Sequence, residues 1–264
     1  MHQVNNNMDR KCGVCKDANL DFDFAFAYQP IVDLARRAIF AHEALVRGVD
    51  GASAASVLSL VNESNRYAFD QRCRVKAIEG AARLGMQEKL SINFLPNAVY
   101  KPEACIQNTF SAAQRAGFPL SQIIFEVTEG EEVLDRAHLV NIFYEYRRFG
   151  FSTAIDDFGA GYSGLGLLTE FQPDIIKLDM GLVRGIERHP AKQAVLDGVL
   201  MVCKRLGVTV LAEGVETVAE RDYLFAAGVS LMQGYLFCRP AFESLGVVDS
   251  GAWIDTSQRP GDRS

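Results

Sequence analysis

The hydrophobic pattern changes period several times along the chain, and those changes place most of its elements. Aromatic and apolar residues from Phe22 to Ile31, interrupted by Gln29-Pro30, predict a strand ended by proline, which strand ends and edges tolerate. A turn around Asp33 to Arg37 leads to a second strand, Ala38 to Val46, that carries Glu43. So short a connection leaves no room for a crossover helix, which makes the pair antiparallel. Helical spacing takes over from Ser53 to Leu84, through Val57, Leu60, Val61, Phe69, Val75, Ile78 and Ala82. Strand Leu90 to Phe94, helical material from Pro102 to Ala116 and strand Ile123 to Val127 follow.

From there strand and helix alternate regularly. A helix from Glu131 to Phe149, with apolar Val133, Ala137, Val140, Phe143 and Tyr144, closes at Gly150 before the strand that carries Asp156 and Asp157. Val195, Val199, Val202, Cys203 and Leu206 mark the stripe of a helix ending at Gly207. Strands Val208 to Ala212 and Val229 to Met232 follow Gly207 and Gly228, each a residue type that ends helices in the left-handed conformation. Repeated βα units with short loops imply a parallel sheet. About eight strands in roughly 230 residues fit an α/β fold of the (β/α)8 TIM type, here with an antiparallel first strand. A doubly wound open sheet is the alternative, but no GxGxxG follows the first strand. The barrel is expected over residues 22–250, between a polar leader, 1–21, and a tail, 251–264.

The polar residues near the strand ends carry the chemistry. They are Glu43, Asn93, Glu126, Asp156 with Asp157, Lys177, Glu213 and Gln233, at intervals of 50, 33, 30, 20, 36 and 20 residues, the fourth counted from Asp157. In a barrel such strand ends converge on one rim, where active sites are built. A single acid on a strand is ordinarily a solvated edge. Five carboxylates and an amide at equivalent positions would repel one another unless cations sat among them. All-oxygen donors favour magnesium, manganese or calcium, and two ions sharing a carboxylate suit phosphoester hydrolysis. Lys177 either neutralises charge on a phosphoryl group or forms an ordinary interior pair with Asp179. Asn93 as a turn cap and Gln233 as a plain rim hydrogen bond are the bland alternatives.

Composition narrows the classes. With 48% hydrophobic and 23% charged residues the chain is an ordinary globular sequence. A net charge of −6 argues against a surface for long nucleic acid. Without an apolar run of membrane-spanning length or a signal-peptide core in Met1 to Leu20, a cytoplasmic location without membrane insertion is expected. Cys73, Cys105, Cys203 and Cys238 read as small buried hydrophobes. Cys12 and Cys15 have CxxC spacing but no second pair, so a metal half-site or redox pair stands beside a plain N-terminal segment. His42 adjoins Glu43 but faces the other side of its strand.

Taken in order, Tyr28-Gln29-Pro30-Ile31, Glu43-Ala44-Leu45-Val46-Arg47, Ser91-Ile92-Asn93, Phe125-Glu126-Val127-Thr128-Glu129, Asp156 to Ser163, Lys177-Leu178-Asp179, Glu213 to Thr217 and Gln233-Gly234-Tyr235 resemble the motifs of the EAL-domain family of cyclic di-GMP phosphodiesterases. The resemblance covers Phe22 to Pro240. It implies metal-dependent hydrolysis of cyclic di-GMP to linear pGpG with two Mg2+ or Mn2+ ions; Ca2+ is expected to inhibit because it holds water less acidic and in looser geometry. By the same resemblance, Glu43, Asn93, Glu126 and Asp156 would hold one ion, and Asp156, Asp157 and Glu213 the other. Lys177, Glu213 and Gln233 would be catalytic, Gln29 and Arg47 would face the substrate, and Glu129 would anchor the loop after Asp157. A homodimer through the barrel is implied too. Ala160 and Gly164 depart from the residues common in that loop. The alternative function is a catalytically weak or inactive cyclic di-GMP receptor or protein-interaction module.

Overall fold

The hairpin that opens the fold is set by one carboxylate. Asp33 is buried, and its Oδ1 accepts the N–H groups of Ala35 and Arg36 at 3.0 and 3.2 Å while Oδ2 pairs with Arg36 at 2.7 Å. This side-chain turn joins β1 (Ala25–Asp33) to β2 (Ala38–Arg47), antiparallel from Ala25↔Arg47 to Asp33↔Ala38. The computed structural model describes residues 20–128, 136–160 and 164–254.

Six further strands, β3 (Lys89–Asn93), β4 (Ile123–Thr128), β5 (Ser152–Phe158), β6 (Ile175–Leu178), β7 (Thr209–Ala212) and β8 (Leu231–Met232), follow β2 in parallel. β8 meets β1 antiparallel through Val32↔Met232, which closes the barrel. A two-residue β9 (Ala241–Phe242) lies against the other end of β1. The architecture is a TIM-type barrel with a reversed first strand, and the open-sheet alternative falls because β1 joins β8 to β2.

The helices α1 (Ala54–Leu58), α2 (Arg66–Arg83), α3 (Pro102–Cys105), α4 (Gln107–Ala116), α5 (Arg136–Arg148), α6 (Gly164–Glu170), α7 (Met180–Val183), α8 (Pro190–Leu206) and α9 (Val218–Ala226) occupy the connections between strands. The long helix expected from Ser53 to Leu84 is broken. Asn65 Oδ1 accepts the N–H of Asn62 and its amide donates to Leu60 carbonyl, at 2.8 and 2.9 Å, so asparagine side chains satisfy the backbone of a loop there. The stretch from Pro102 is likewise divided at Ile106.

Two helix faces differ from those expected. On α8 the buried line is Leu196, Val199 and Cys203, while Val195 and Leu206 are exposed. On α5 it is Leu139, Ile142, Phe143 and Tyr146, and Tyr144 is exposed. Both segments carry more apolar residues than one face can hold, so periodicity alone leaves the phase open. Cys73, Cys105 and Cys203 are buried as expected, and Cys238 is half-buried. His42 is buried against Glu88, 3.8 Å away, and burial lowers its pKa. Cys12, Cys15 and Glu129 lie outside the described residues. At the other end Ala252 is buried, and Arg221 donates to its carbonyl at 2.8 Å.

The core has two layers. The larger lies between strands and helices and includes Phe24, Ile78, Phe125, Phe143 and Phe171. The smaller fills the barrel and consists of Ile31, Ala41, Ile124, Ala154, Ile175, Leu211 and Leu231. No helix among the described residues is long and apolar enough to cross a membrane.

Two glycines test this packing with opposite signs. A Cβ on Gly198, inside α8, would meet nothing within 4 Å, so Gly198→Ala should stabilise by about 0.5–1 kcal/mol. A Cβ on Gly234 would lie 2.0 Å from the Val215 carbonyl oxygen, so Gly234→Ala should cost about 3 kcal/mol or more. Urea unfolding of both variants checks the pair.

Candidate active site

The residues of the barrel plug fix the site above them. Side chains two apart on a strand share a face, so each plug residue predicts the next inward residue toward the rim. Ala41 leads to Glu43, Ile124 to Glu126, Ala154 to Asp156, Ile175 to Lys177, Leu211 to Glu213 and Leu231 to Gln233. β1 runs the other way, and its inward neighbour is Gln29, two residues before Ile31. These polar residues gather around one point.

That point is the Lys177 ammonium, which is fully buried. Nζ lies 2.7 Å from Glu213, 2.9 Å from Glu126, 3.2 Å from Asp156 and 3.6 Å from Glu43. Asp179 takes no part in that set and caps α7 through the Gly181 N–H at 2.8 Å. The amide of Gln233 donates to Glu43 at 2.8 Å and to Gln29 at 3.1 Å, and Gln29 donates to the Cys238 carbonyl at 3.1 Å. Asn93, at the exposed end of β3, donates to the other Glu43 oxygen at 3.0 Å.

Adjacent carboxylates serve one site here because the strand is irregular. The β5–β6 register shifts between Ile155 and Phe158, and Asp157 has φ 53°, in the left-handed region. The extra residue turns Asp157 toward the side that Asp156 already faces. The Asp157 N–H donates to Asp156 Oδ1 at 2.8 Å. Two carboxylate triads result, Glu43–Glu126–Asp156 and Asp156–Asp157–Glu213, each with oxygens within 4.8 Å of one another. Asp156 belongs to both.

Electrostatics split these acids. Burial raises the Glu126 carboxyl to about 7 against the pull of Lys177, and burial drives Glu213 well above the usual range. Asp156 is half-buried, and although desolvation raises it, Lys177, together with hydrogen bonds from Glu213 and the Asp157 N–H, brings it below its ordinary value. Burial and the Asp156 charge raise Asp157. Lys177 is buried too, yet the four carboxylates hold its pKa well up, so it stays charged. Five carboxylates against one ammonium leave the fully ionised set at −5 + 1 = −4. An all-oxygen, strongly anionic donor set of this kind fits hard divalent cations.

Arg47 stands apart from the cluster, half-buried, with its guanidinium on the Val46 carbonyl at 2.7 Å. The residue missed by the strand-end reading is Ser91, which is buried and donates its hydroxyl to Glu126. The signal was available, since Ser91 is two residues before Asn93 on the same strand. Glu129 and residues 161–163 of the loop lie outside the described residues. Ala160 is exposed, with its N–H on the Asp157 carbonyl at 3.0 Å.

A TIM-type barrel with a reversed first strand and an acid cluster around one lysine defines a narrow class. The EAL domain model matches residues 17–240, and the chain belongs to the EAL-domain family. It is 55% identical to a standalone versatile EAL protein from Vibrio cholerae O395 in its c-di-GMP bound form, with TM-score 0.86, covering 89% of this chain and 99% of that one. BlrP1 of Klebsiella pneumoniae in a manganese/cy-diGMP complex at pH 9.0 is 37% identical, with TM-score 0.80, over 88% of this chain and 59% of that one. The blue light- and temperature-regulated antirepressor BluF of Escherichia coli is 31% identical over 229 residues, 86% of this chain and 56% of that protein. The cyclic di-GMP phosphodiesterase RocR of Pseudomonas aeruginosa is 35% identical over 159 residues, 60% of this chain and 40% of that protein. The chain spans about half the length of these curated relatives.

Lys177→Met removes the charge that offsets four acids, two of them buried, and should destabilise the metal-free protein by about 3–5 kcal/mol. Because the bare carboxyls then bind protons at higher pH folded than unfolded, the loss should shrink as pH falls from 8 toward 5. Urea unfolding in EDTA across that range measures it.

Proposed function

We propose that this chain is a metal-dependent phosphodiesterase that hydrolyses cyclic di-GMP to linear pGpG. The observation that carries the reading is the pair of carboxylate triads sharing Asp156 on the rim of an EAL-domain barrel. Support for the ligand comes from relatives whose names or structures include cyclic di-GMP.

Glu43, Asn93, Glu126 and Asp156 would hold one Mg2+ or Mn2+ ion, and Asp156, Asp157 and Glu213 a second. Such ions supply Lewis acidity, neutralising the carboxylates and stabilising the charge that builds on a phosphodiester as water adds. The chain's own groups do the rest. Lys177 keeps a positive charge beside the reacting phosphoryl group and fixes four acids around it. Glu213, on the rim 2.7 Å from Lys177, would take the proton of the attacking water. The water oxygen bonds to one phosphorus as its P–O3′ bond breaks, the proton reaches the leaving 3′ oxygen, and the ring opens. Gln233 orients Glu43 and the water's surroundings, and Gln29 and Arg47 face the substrate, Arg47 with its fork-shaped donor toward the phosphate. Glu129 anchors the loop after Asp157, and a homodimer through the barrel belongs to the same proposal. The setting is the cytoplasm.

A second reading, a cyclic di-GMP receptor or protein-interaction module, draws on the likeness to an antirepressor. The separating assay incubates the protein with cyclic di-GMP and Mg2+ or Mn2+ and resolves the nucleotides over time. Linear pGpG should accumulate, EDTA should stop it, and Ca2+ should inhibit because its looser geometry suits this chemistry poorly. Tight binding without turnover would favour the receptor, and no binding would defeat both. Glu43→Ala and Asp156→Asn should each abolish turnover with the circular dichroism spectrum unchanged. Normal rates in either variant would refute the ligand assignment.

A further inference from the structure

Behind the site lies a second buried cation that the reaction does not use. Arg74, on α2, is fully buried. Its Nη2 is 2.8 Å from Asp70 Oδ2, one helical turn earlier, and its Nη1 donates to the Tyr146 hydroxyl at 2.6 Å. The guanidinium lies over the rings of Phe94, Phe125 and Tyr146, at 5.6, 5.0 and 5.5 Å from their centroids. Two of those rings adjoin site residues in sequence. Phe94 follows Asn93, the last residue of β3, and Phe125 precedes Glu126 on β4.

Asp70 completes the contact. Its Oδ1 accepts the Leu95 N–H at 2.9 Å, and the Phe94 N–H donates to the Glu126 carbonyl at 3.0 Å. Packing alone would not fix this exit from β3, because Asn93, Phe94 and Leu95 border a cavity of about 270 Å³ that Asp70 also lines. Stability alone does not call for the pair either, since replacing a buried ion pair by apolar groups of similar size is often neutral or stabilising. What the pair supplies is geometry, gripping the ends of two adjacent strands from their outer face.

We propose that Arg74 and Asp70 are positioning residues that set the affinity of the site for a divalent cation. They hold Asn93 and Glu126 at a fixed distance from Glu43 and Lys177. This rests on the reading of Asn93 and Glu126 as metal-holding groups.

The test is direct Mn2+ binding, followed by electron paramagnetic resonance of free Mn2+, on the full chain. Asp70→Leu/Arg74→Met should fold, by circular dichroism, and bind Mn2+ at least about tenfold more weakly, the size of loss seen when a ligand's support is removed. Arg74→Lys keeps the charge without the fork and should give a smaller weakening. A purely structural role is separated by Asp174→Ala. Asp174 holds the start of β5 through the N–H and hydroxyl of Thr153, at 2.8 and 3.0 Å, at the end of that strand away from Asp156. That variant should lose stability with unchanged Mn2+ affinity. Binding within twofold of wild type in the double variant, or in Arg74→Lys should the double variant fail to fold, overturns the proposal. Wild-type hydrolysis of cyclic di-GMP is measured alongside. Mn2+ binding without turnover sinks the hydrolase reading and leaves the positioning role standing, and a wild type that binds no Mn2+ overturns both.

Discussion

The rim depends on the attraction between one buried ammonium and the four carboxylates around it. At an effective dielectric near 20, two unit charges about 4 Å apart interact by about 4 kcal/mol, so four unpaired acids at this spacing would drive the strand ends apart. Lys177 offsets that repulsion, and the acids in turn repay the several kcal/mol that burying an ammonium costs. The balance is deliberately incomplete in charge, because one cation faces several anions. The shortfall is spread unevenly. Glu126 and Glu213 are pushed up while Asp156 is held down, so neighbouring carboxyls on one rim differ in how readily they ionise.

Barrel geometry makes this concentration of charge possible. The small apolar plug excludes water from below and fixes which residue on each strand faces inward. One step of two residues from the plug reaches the polar layer on seven of the strands, in the reverse direction on β1. Hydrogen bonds then lock the layer sideways, from Asn93 and Gln233 to Glu43 and from Ser91 to Glu126. The acid cluster is therefore preformed, whereas Arg47, bonded to a neighbouring carbonyl, stands outside it.

The outer face of the same strands carries a second ion pair with a different environment. Lys177 sits among acids facing the barrel interior, while Arg74 sits among aromatic rings facing the helices. Both are wholly buried, and each is matched by the chemistry around it: carboxylates for a compact ammonium, ring faces and one carboxylate for a planar guanidinium. Phe94 and Phe125 tie the two faces together, since each is the sequence neighbour of a residue on the inner side.

Much of this was legible in the sequence. The switch from period-two to helical spacing gave the strands, and polar residues at their ends, Glu43, Glu126, Asp156, Lys177, Glu213 and Gln233, marked the rim, because two-residue alternation is local and survives in any register. The short link from Asp33 to Ala38 likewise gave the reversed first strand. The broken helix before α2 and the buried faces of α5 and α8 were not legible, because several apolar stripes compete and only packing selects one. Nor was the way Asp157 joins Asp156. Alternation alone sends neighbours to opposite faces, and only the register shift against β6, with a left-handed backbone at Asp157, turns the two carboxylates to one point. The sequence determined which groups the rim would contain. The tertiary structure decided that Lys177 would lie at their centre and that Arg74 would stand behind them, because both depend on distances between strands that no single segment encodes.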